Sequence, residues 1–261
     1  VSLSRFIKKL LPEGLKSFLW FVVKSPQRSF VGYGTLFTDF RAWFKLKFGS
    51  AQLEKITVCT GLKNRSDNYL KHLLNSLNKC DNKELISLSV FDCGSDDIEN
   101  LEKEIRKEWN GKLVFNSEEI NFSRSYSFNK AVHQSNDPII FVCDADIAVP
   151  SDLVVKCNNY VTKRSAWFPI LFFEDEQNRG EEVTIGKFRT EGKGIFASKR
   201  DHFISIGGYD ESITEWGDED WKLFFDFYKN GIKPHRTKER HLIHRYHKSL
   251  RPPDFNSIYA R

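Results

Sequence analysis

Asp144-Ala145-Asp146 stands directly after an uninterrupted apolar run, PIIFVC (138–143). A strand that delivers two carboxylates to its C-terminal end places them in the crevice where open α/β sheets bind ligands. Hard cations such as Mn²⁺ or Mg²⁺ take oxygen ligands, and carboxylates there suit a metal bridging a diphosphate. Spacing alone does not single the pair out, because Asp218-Glu219-Asp220 repeats it. The strand context does; a solvated turn is the plain alternative. The second acidic group lies in Trp216-Gly217-Asp218-Glu219-Asp220-Trp221. Three acids at the start of a helix are favoured by its dipole. Tryptophans beside carboxylates also make a sugar-binding surface, and a carboxylate in a partly apolar pocket is suited to act as a general base.

Four of the seven histidines, His235, His241, His244 and His247, fall within thirteen residues. Clustered at a strand end, they are candidates to complete a metal site with the carboxylates. Arg236, Lys238, Arg240, Arg245, Lys248 and Arg251 make that region basic, which suits a diphosphate or an acidic acceptor. Nucleic acid is the rival partner, and the absence of a groove-binding motif argues against it. In Gly61-Leu62-Lys63-Asn64-Arg65 the glycine permits close approach of a ligand to the backbone, and the two cations could meet phosphates. A solvated loop reads the same way, and Arg124 carries the same ambiguity. Asp92 ends a strand, where a carboxylate can accept hydrogen bonds from a base or ribose. An Asx-type turn capping the next helix explains it equally well.

These residues need a scaffold. The 261 residues carry 40% hydrophobic and 29% charged side chains, which excludes a disordered tail, a collagen-like fibre and a disulfide-rich miniprotein. From about residue 54, short β-rich runs alternate with helical stretches, the pattern of an α/β sheet. KITVCT (55–60), LISLSVFD (85–92), KLVFN (112–116) and PIIFVC (138–143) read as strands. Helices are expected through Tyr69–Leu77, up to Trp109, over about 123–134, after Pro150-Ser151-Asp152, and over about 218–229. AWFPILFF (166–173), GIFAS (194–198) and HLIHRYH (241–247) read as further strands of a mixed sheet.

The charge is uneven. Residues 1–50 hold nine Lys/Arg against two Asp/Glu and eleven of the 37 aromatics, while the remainder is close to neutral. Ile7, Leu11, Leu15, Phe18 and Val22 recur at helical spacing among lysines. The expected division is therefore an aromatic-basic helical extension, 1–50, and a catalytic domain, 51–261. The extension either lies on an anionic membrane surface or packs as extra helices. No run approaches the roughly 20 apolar residues of a membrane span. Five scattered cysteines without a CxxC pair point to small buried hydrophobes in a reducing compartment.

In this order the motifs resemble GT-A glycosyltransferases over roughly residues 54–250. The likeness is to family 2 enzymes and, more closely, to the β-1,4-galactosyltransferase group with its chondroitin-type N-acetylgalactosaminyltransferase relatives. It is carried by Leu62-Lys63-Asn64-Arg65, Phe122-Ser123-Arg124 with Asn129, Asp144-Ala145-Asp146-Ile147, Gly194-Ile195-Phe196-Ala197-Ser198, and Gly207-Gly208-Tyr209-Asp210 before Trp216-Gly217-Asp218-Glu219-Asp220. The resemblance implies an α/β GT-A fold, Rossmann-like, with a mixed central sheet flanked by helices. It implies donor-nucleotide contacts at Thr60, Arg65, Asp92, Phe122, Arg124, Asn129 and Asp144. Metal, Mn²⁺ or Mg²⁺, would be held by Asp146 with His247 or His244, the former matching a Tyr-His pattern. Trp216, Gly194 and Asp218 would meet sugar, Glu219 and Asp220 would face the reacting groups, and Asp220 would be the base. Asp218 departs from the glycine of the family pattern. The implied activity is inverting transfer of a hexose or N-acetylhexosamine from a UDP-sugar to a glycan or glycolipid acceptor, in bacterial surface polysaccharide synthesis. The expected location is cytoplasmic; peripheral contact with the inner face of the membrane is expected from the amphipathic pattern of residues 1–50, which the resemblance does not cover. A nucleotide hydrolase or nucleotidyltransferase using the same carboxylates, or a non-catalytic scaffold, are the rival readings.

Overall fold

The computed structural model describes residues 52–178, 183, 185–213 and 218–247. The 1–50 extension and Trp216 lie outside the described residues. Among those described, no helix is long and apolar enough to cross a membrane.

Strands β1 (Ile56–Leu62), β2 (Ile86–Asp92), β3 (Leu113–Ser117) and β4 (Ile139–Val142) pair in parallel, with β4 and β2 on either side of β1 and β3 beyond β2. Every residue of β1, β2 and β4 is buried. Such continuous apolar runs mark strands covered on both faces. Ile139 and Phe141 join the core on one face of the sheet, and Ile140 and Val142 that on the other. Each such side chain contributes about 1.5–3 kcal/mol on burial. The short β5 (Ile147–Ala148) follows the carboxylates. Beyond it, the expected strand 166–173 is two strands, β6 (Ser165–Trp167) and β7 (Ile170–Glu174), in different sheets. The break falls at Phe168-Pro169, because a proline has no N–H to give to a ladder. Three short elements follow: β8 (Gly186–Phe188) inside the Glu-rich loop, β9 (Phe196–Lys199) and, late in the chain, β10 (Lys233–His235). Strand β11 (Lys238–His244) stops earlier than expected, so His247 lies beyond the strand. The large sheet runs β10-β6-β9-β4-β1-β2-β3, with β9 antiparallel to both neighbours; the small one runs β5-β11-β7-β8.

The helical stretch 66–77, α1, contains a π-turn over Tyr69–Leu74. Helix α2 (Leu101–Glu108) begins where Asn100 accepts from Lys103 N at 2.9 Å, and α3 (Arg124–His133) where Ser123 accepts from Tyr126 N at 3.3 Å. Helices α4 (Leu153–Tyr160), α5 (Arg200–Ser205) and α6 (Asp218–Lys229) complete the described set. Helix α3 lies on β1 and β2. A Cβ at Gly61 would sit 2.3 Å from Ser127 Oγ, so this glycine makes room for α3 rather than for a ligand. All five cysteines are buried and unpaired.

Candidate active site

The fold brings the C-terminal ends of β1 and β4, the start of β9, the start of α6 and the tail of β11 to one region. Two groups of side chains occupy it. In the first, Asp146 Oδ2 lies 2.9 Å from His247 Nε2 and 3.8 Å from His244 Nε2. One ligand atom from each of the three residues fits within a 4.8 Å cluster. The other oxygen, Asp146 Oδ1, is buried without a hydrogen-bond partner. One carboxylate with an unpaired oxygen and two imidazoles form a donor set that fits a divalent cation. Burial works to raise the pKa of Asp146. The His247 hydrogen bond and the charges of His244, His247 and Arg65 prevail and hold it below its ordinary value. His244 is stacked on Phe173 at 4.4 Å and 15°, and burial lowers its pKa. That ring is clamped, while His247 makes the short contact.

The second group is built around Arg124, at the first position of α3. Its side chain is 12% exposed. Nη2 donates to Asp144 Oδ1 and to the Gly194 carbonyl, each at 3.0 Å, and Nη1 donates to Tyr209 Oη at 3.1 Å. Nε lies 3.9 Å from Glu219 Oε1. Burial opposes the positive charge, but Asp144, Tyr209, Glu219 and Asp220 more than offset it, so the guanidinium stays charged. A Cβ at residue 194 would come within 2.7 Å of Nη2, so glycine is needed there to let the fork reach the carbonyl.

Asp220, in the first turn of α6, completes the region. Its Oδ2 accepts from Lys193 N at 3.2 Å, and Oδ1 is buried without a partner. Burial pushes its pKa up to about 6, against Arg124. Lys193 itself is 6% exposed, sits 3.3 Å over the Trp221 ring and donates to the Glu191 carbonyl at 2.8 Å. Burial and the neighbouring Arg236 pull its pKa down to about 7. Arg236 Nη2 in turn donates to the Gly192 carbonyl at 3.0 Å.

Other expected site residues have different surroundings. Asn129 uses its whole amide on the turn after α5: Nδ2 donates to Tyr209 O and Glu211 Oε1, and Oδ1 accepts from Tyr209 N. It shapes the wall behind Arg124. Asp92 accepts from Ser95 N and Oγ and from Ser117 Oγ, the Asx-turn arrangement. Ser95 Oγ also accepts from Asn64 N at 2.8 Å, so Asp92 steadies the loop that carries Arg65. Glu219 is 4% exposed and turned to Arg124. Thr60 is fully buried in β1 with Oγ1 unpartnered; Phe122 is 47% exposed, and Asp218 opens α6. Sequence reasoning missed Lys193 and Glu174; a lysine between two glycines was the available signal for the first.

A mixed sheet with helices on both faces, carboxylates at the end of its fourth strand and a helix-borne acid opposite define the GT-A class of fold. The solved structure of GalNAc-T7 with UDP, GalNAc and Mn²⁺ is similar at a TM-score of 0.60 and 15% identity, covering 76% of this chain and 45% of that one. Residues 54–257 match the chondroitin N-acetylgalactosaminyltransferase family, and the chain belongs to it. Chondroitin sulfate synthase 3 of Mus musculus is 25% identical over 221 residues, 76% of this chain and 25% of that protein. Human chondroitin sulfate N-acetylgalactosaminyltransferase 2 is 22% identical over 238 residues, 82% of this chain and 44% of that protein. The chain thus spans a quarter to under a half of the length of these relatives.

Proposed function

We propose that the chain is an inverting, metal-dependent glycosyltransferase moving a hexose or N-acetylhexosamine from a UDP-sugar to a carbohydrate acceptor. The observation that carries this reading is the pairing of two unsatisfied carboxylates in one region. Asp146 Oδ1 stands beside two histidines, and Asp220 Oδ1 belongs to an acid whose pKa is pushed up to about 6. The first is a metal ligand in waiting and the second a general base near its working pH. Family membership supports the sugar chemistry, and the GalNAc-T7 complex holds UDP, GalNAc and Mn²⁺.

Asp146 with His247, and His244 beside them, would hold the cation; imidazoles favour Mn²⁺ over the harder Mg²⁺. When bound, the cation supplies positive charge to the departing diphosphate. Arg65, whose charge acts on Asp146, would meet the same phosphates. Arg124 fixes Asp144 and the Gly194 carbonyl, which form the floor for the donor. Asp220 takes the proton of an acceptor hydroxyl while that oxygen bonds to the anomeric carbon. The bond from that carbon to the diphosphate oxygen breaks with its electron pair, and UDP leaves. Screening UDP-sugars with Mn²⁺ and an oligosaccharide acceptor, and measuring UDP release, tests the reading. Acceptor-stimulated release that disappears in Asp220→Asn is expected. Release that no acceptor can raise would favour a nucleotide-sugar hydrolase instead.

A further inference from the structure

After His244 the chain leaves β11, and beyond Arg245 it carries His247 to Asp146 without strand pairing to guide it. A carboxylate from the neighbouring strand holds that path. Glu174, the last residue of β7, has a side chain only 6% exposed, and its Oε2 meets Arg245 Nε at 3.1 Å. The same oxygen accepts from Tyr246 N at 2.8 Å. Its second oxygen, Oε1, accepts from Asn178 Nδ2 at 2.8 Å. On the other side of the segment, Arg245 N donates to the Asp146 carbonyl at 3.0 Å. Residues 245 and 246 are thus gripped between the strand end that bears Glu174 and the turn that bears Asp146. Phe173, next to Glu174, stacks on His244. Adjacent residues of β7 therefore fix both histidines.

A buried carboxylate is a poor way to stabilise a sheet, since an apolar side chain of like volume often does as well or better. Its value lies in direction. We propose that Glu174 is a positioning residue for the metal site, setting Arg245-Tyr246 so that His247 and Asp146 present their ligand atoms together before a cation arrives. The proposal rests on the metal reading of Asp146, His244 and His247. Outer groups that orient ligands typically change metal affinity about 10–100-fold when removed. Glu174 acts through the backbone rather than on the imidazole itself, so the lower end, about 10-fold, is expected.

The test titrates Mn²⁺ calorimetrically into the full chain without donor, and melts the metal-free protein in parallel. Glu174→Gln keeps the size and an acceptor for Tyr246 N but loses the ion pair with Arg245. Glu239→Gln is the comparator, because the Glu239 side chain, on β11, is also largely enclosed and pairs with Lys156 at 2.7 Å, away from His244 and His247. The expected result is about 10-fold weaker Mn²⁺ binding in Glu174→Gln and parental binding in Glu239→Gln, whatever its melting temperature. Parental affinity in Glu174→Gln, or an equal loss in Glu239→Gln, overturns the proposal. A second readout needs no metal: hydrogen exchange at the Tyr246 amide should accelerate in Glu174→Ala, and unchanged exchange overturns the clamp. If the parent takes no Mn²⁺ the metal reading itself fails, and the amide-exchange result still decides whether Glu174 fixes the segment.

Discussion

Replacing Asp220 with asparagine should abolish most turnover and yet make the folded chain more stable at neutral pH. The carboxyl is pushed from its ordinary 3.8 up to about 6, with burial as the largest cause. Holding it ionised in the folded state at pH 8 therefore costs about 3 kcal/mol relative to the unfolded chain. Asparagine carries no charge, and its amide oxygen can accept the Lys193 N–H as Oδ2 does. Its amide nitrogen would replace an oxygen that already has no partner, so part of the gain is lost to an unsatisfied donor. A net gain of about 1–2 kcal/mol remains, or roughly 2–8 °C in Tm. The sign follows from proton binding. Between pH 4 and 6 the folded state holds the proton more tightly than the unfolded chain, so the parent loses stability as pH rises through that window. Below pH 4 both states are protonated and the two proteins should melt with a small, constant difference. Scanning calorimetry of the metal-free proteins at pH 4, 5, 6 and 8 checks this. Turnover should fall about 10²–10⁴-fold, and the parent's kcat/KM should climb through a pH near 6. A mutant no more stabilised at pH 8 than at pH 4, or one that keeps its turnover, refutes the assignment of Asp220 as the base.

Three further outcomes follow from the same geometry. His247→Ala should weaken Mn²⁺ binding more than His244→Ala, since the contacts to Asp146 are 2.9 Å and 3.8 Å; calorimetric titration ranks them. Arg124→Lys should lower stability by about 2–4 kcal/mol in urea denaturation, because one ammonium cannot replace a fork that joins Asp144, Gly194 and Tyr209. Gly194→Ala should reduce kcat/KM at least about tenfold while leaving the far-ultraviolet circular dichroism unchanged, because its Cβ would displace Arg124 Nη2 at the site without breaking a strand.

The first half of the fold is legible in the sequence because its strands are buried on both faces and read as unbroken apolar runs. PIIFVC leading into Asp144 is the clearest case. The second half is harder. AWFPILFF has the composition of one strand, and only tertiary pairing shows that Phe168-Pro169 carries the chain from one sheet to another. Of the site residues, the local setting marks the Asp144-Ala145-Asp146 pair and the three acids 218–220, and the family resemblance singles out Asp146 and Asp220 among them. The partners of Arg124 are 20, 70 and 85 residues away in sequence, a relation that local pattern does not encode. Asn129 matches a family motif, yet its amide serves the turn at Tyr209. Motif matching finds residues with fixed neighbours, and those neighbours include backbone as readily as ligand. Glu174 carries no periodic or motif signal, and Lys193 only its two flanking glycines, since their contacts to Tyr246 and Asp220 join segments far apart in sequence.

The proline break has a consequence for motion. Strands β6 and β10 lie side by side in the large sheet, and both run on into β7 and β11 of the small one. At the crossing Phe168 N donates to His235 O and Ile170 N donates to Thr237 O, each at 2.7 Å, and Trp167 Nε1 donates to Thr237 Oγ1 at 2.8 Å. The chain thus passes between sheets as a stitched ribbon rather than as two separate tethers. Helix α6, which opens with Asp218-Glu219-Asp220, packs beside β10, and His244 closes β11. A displacement of β10 therefore reaches β11 through these bonds, and any give between the two lies where the β11–β7 register shifts, between Glu239 and Ile243.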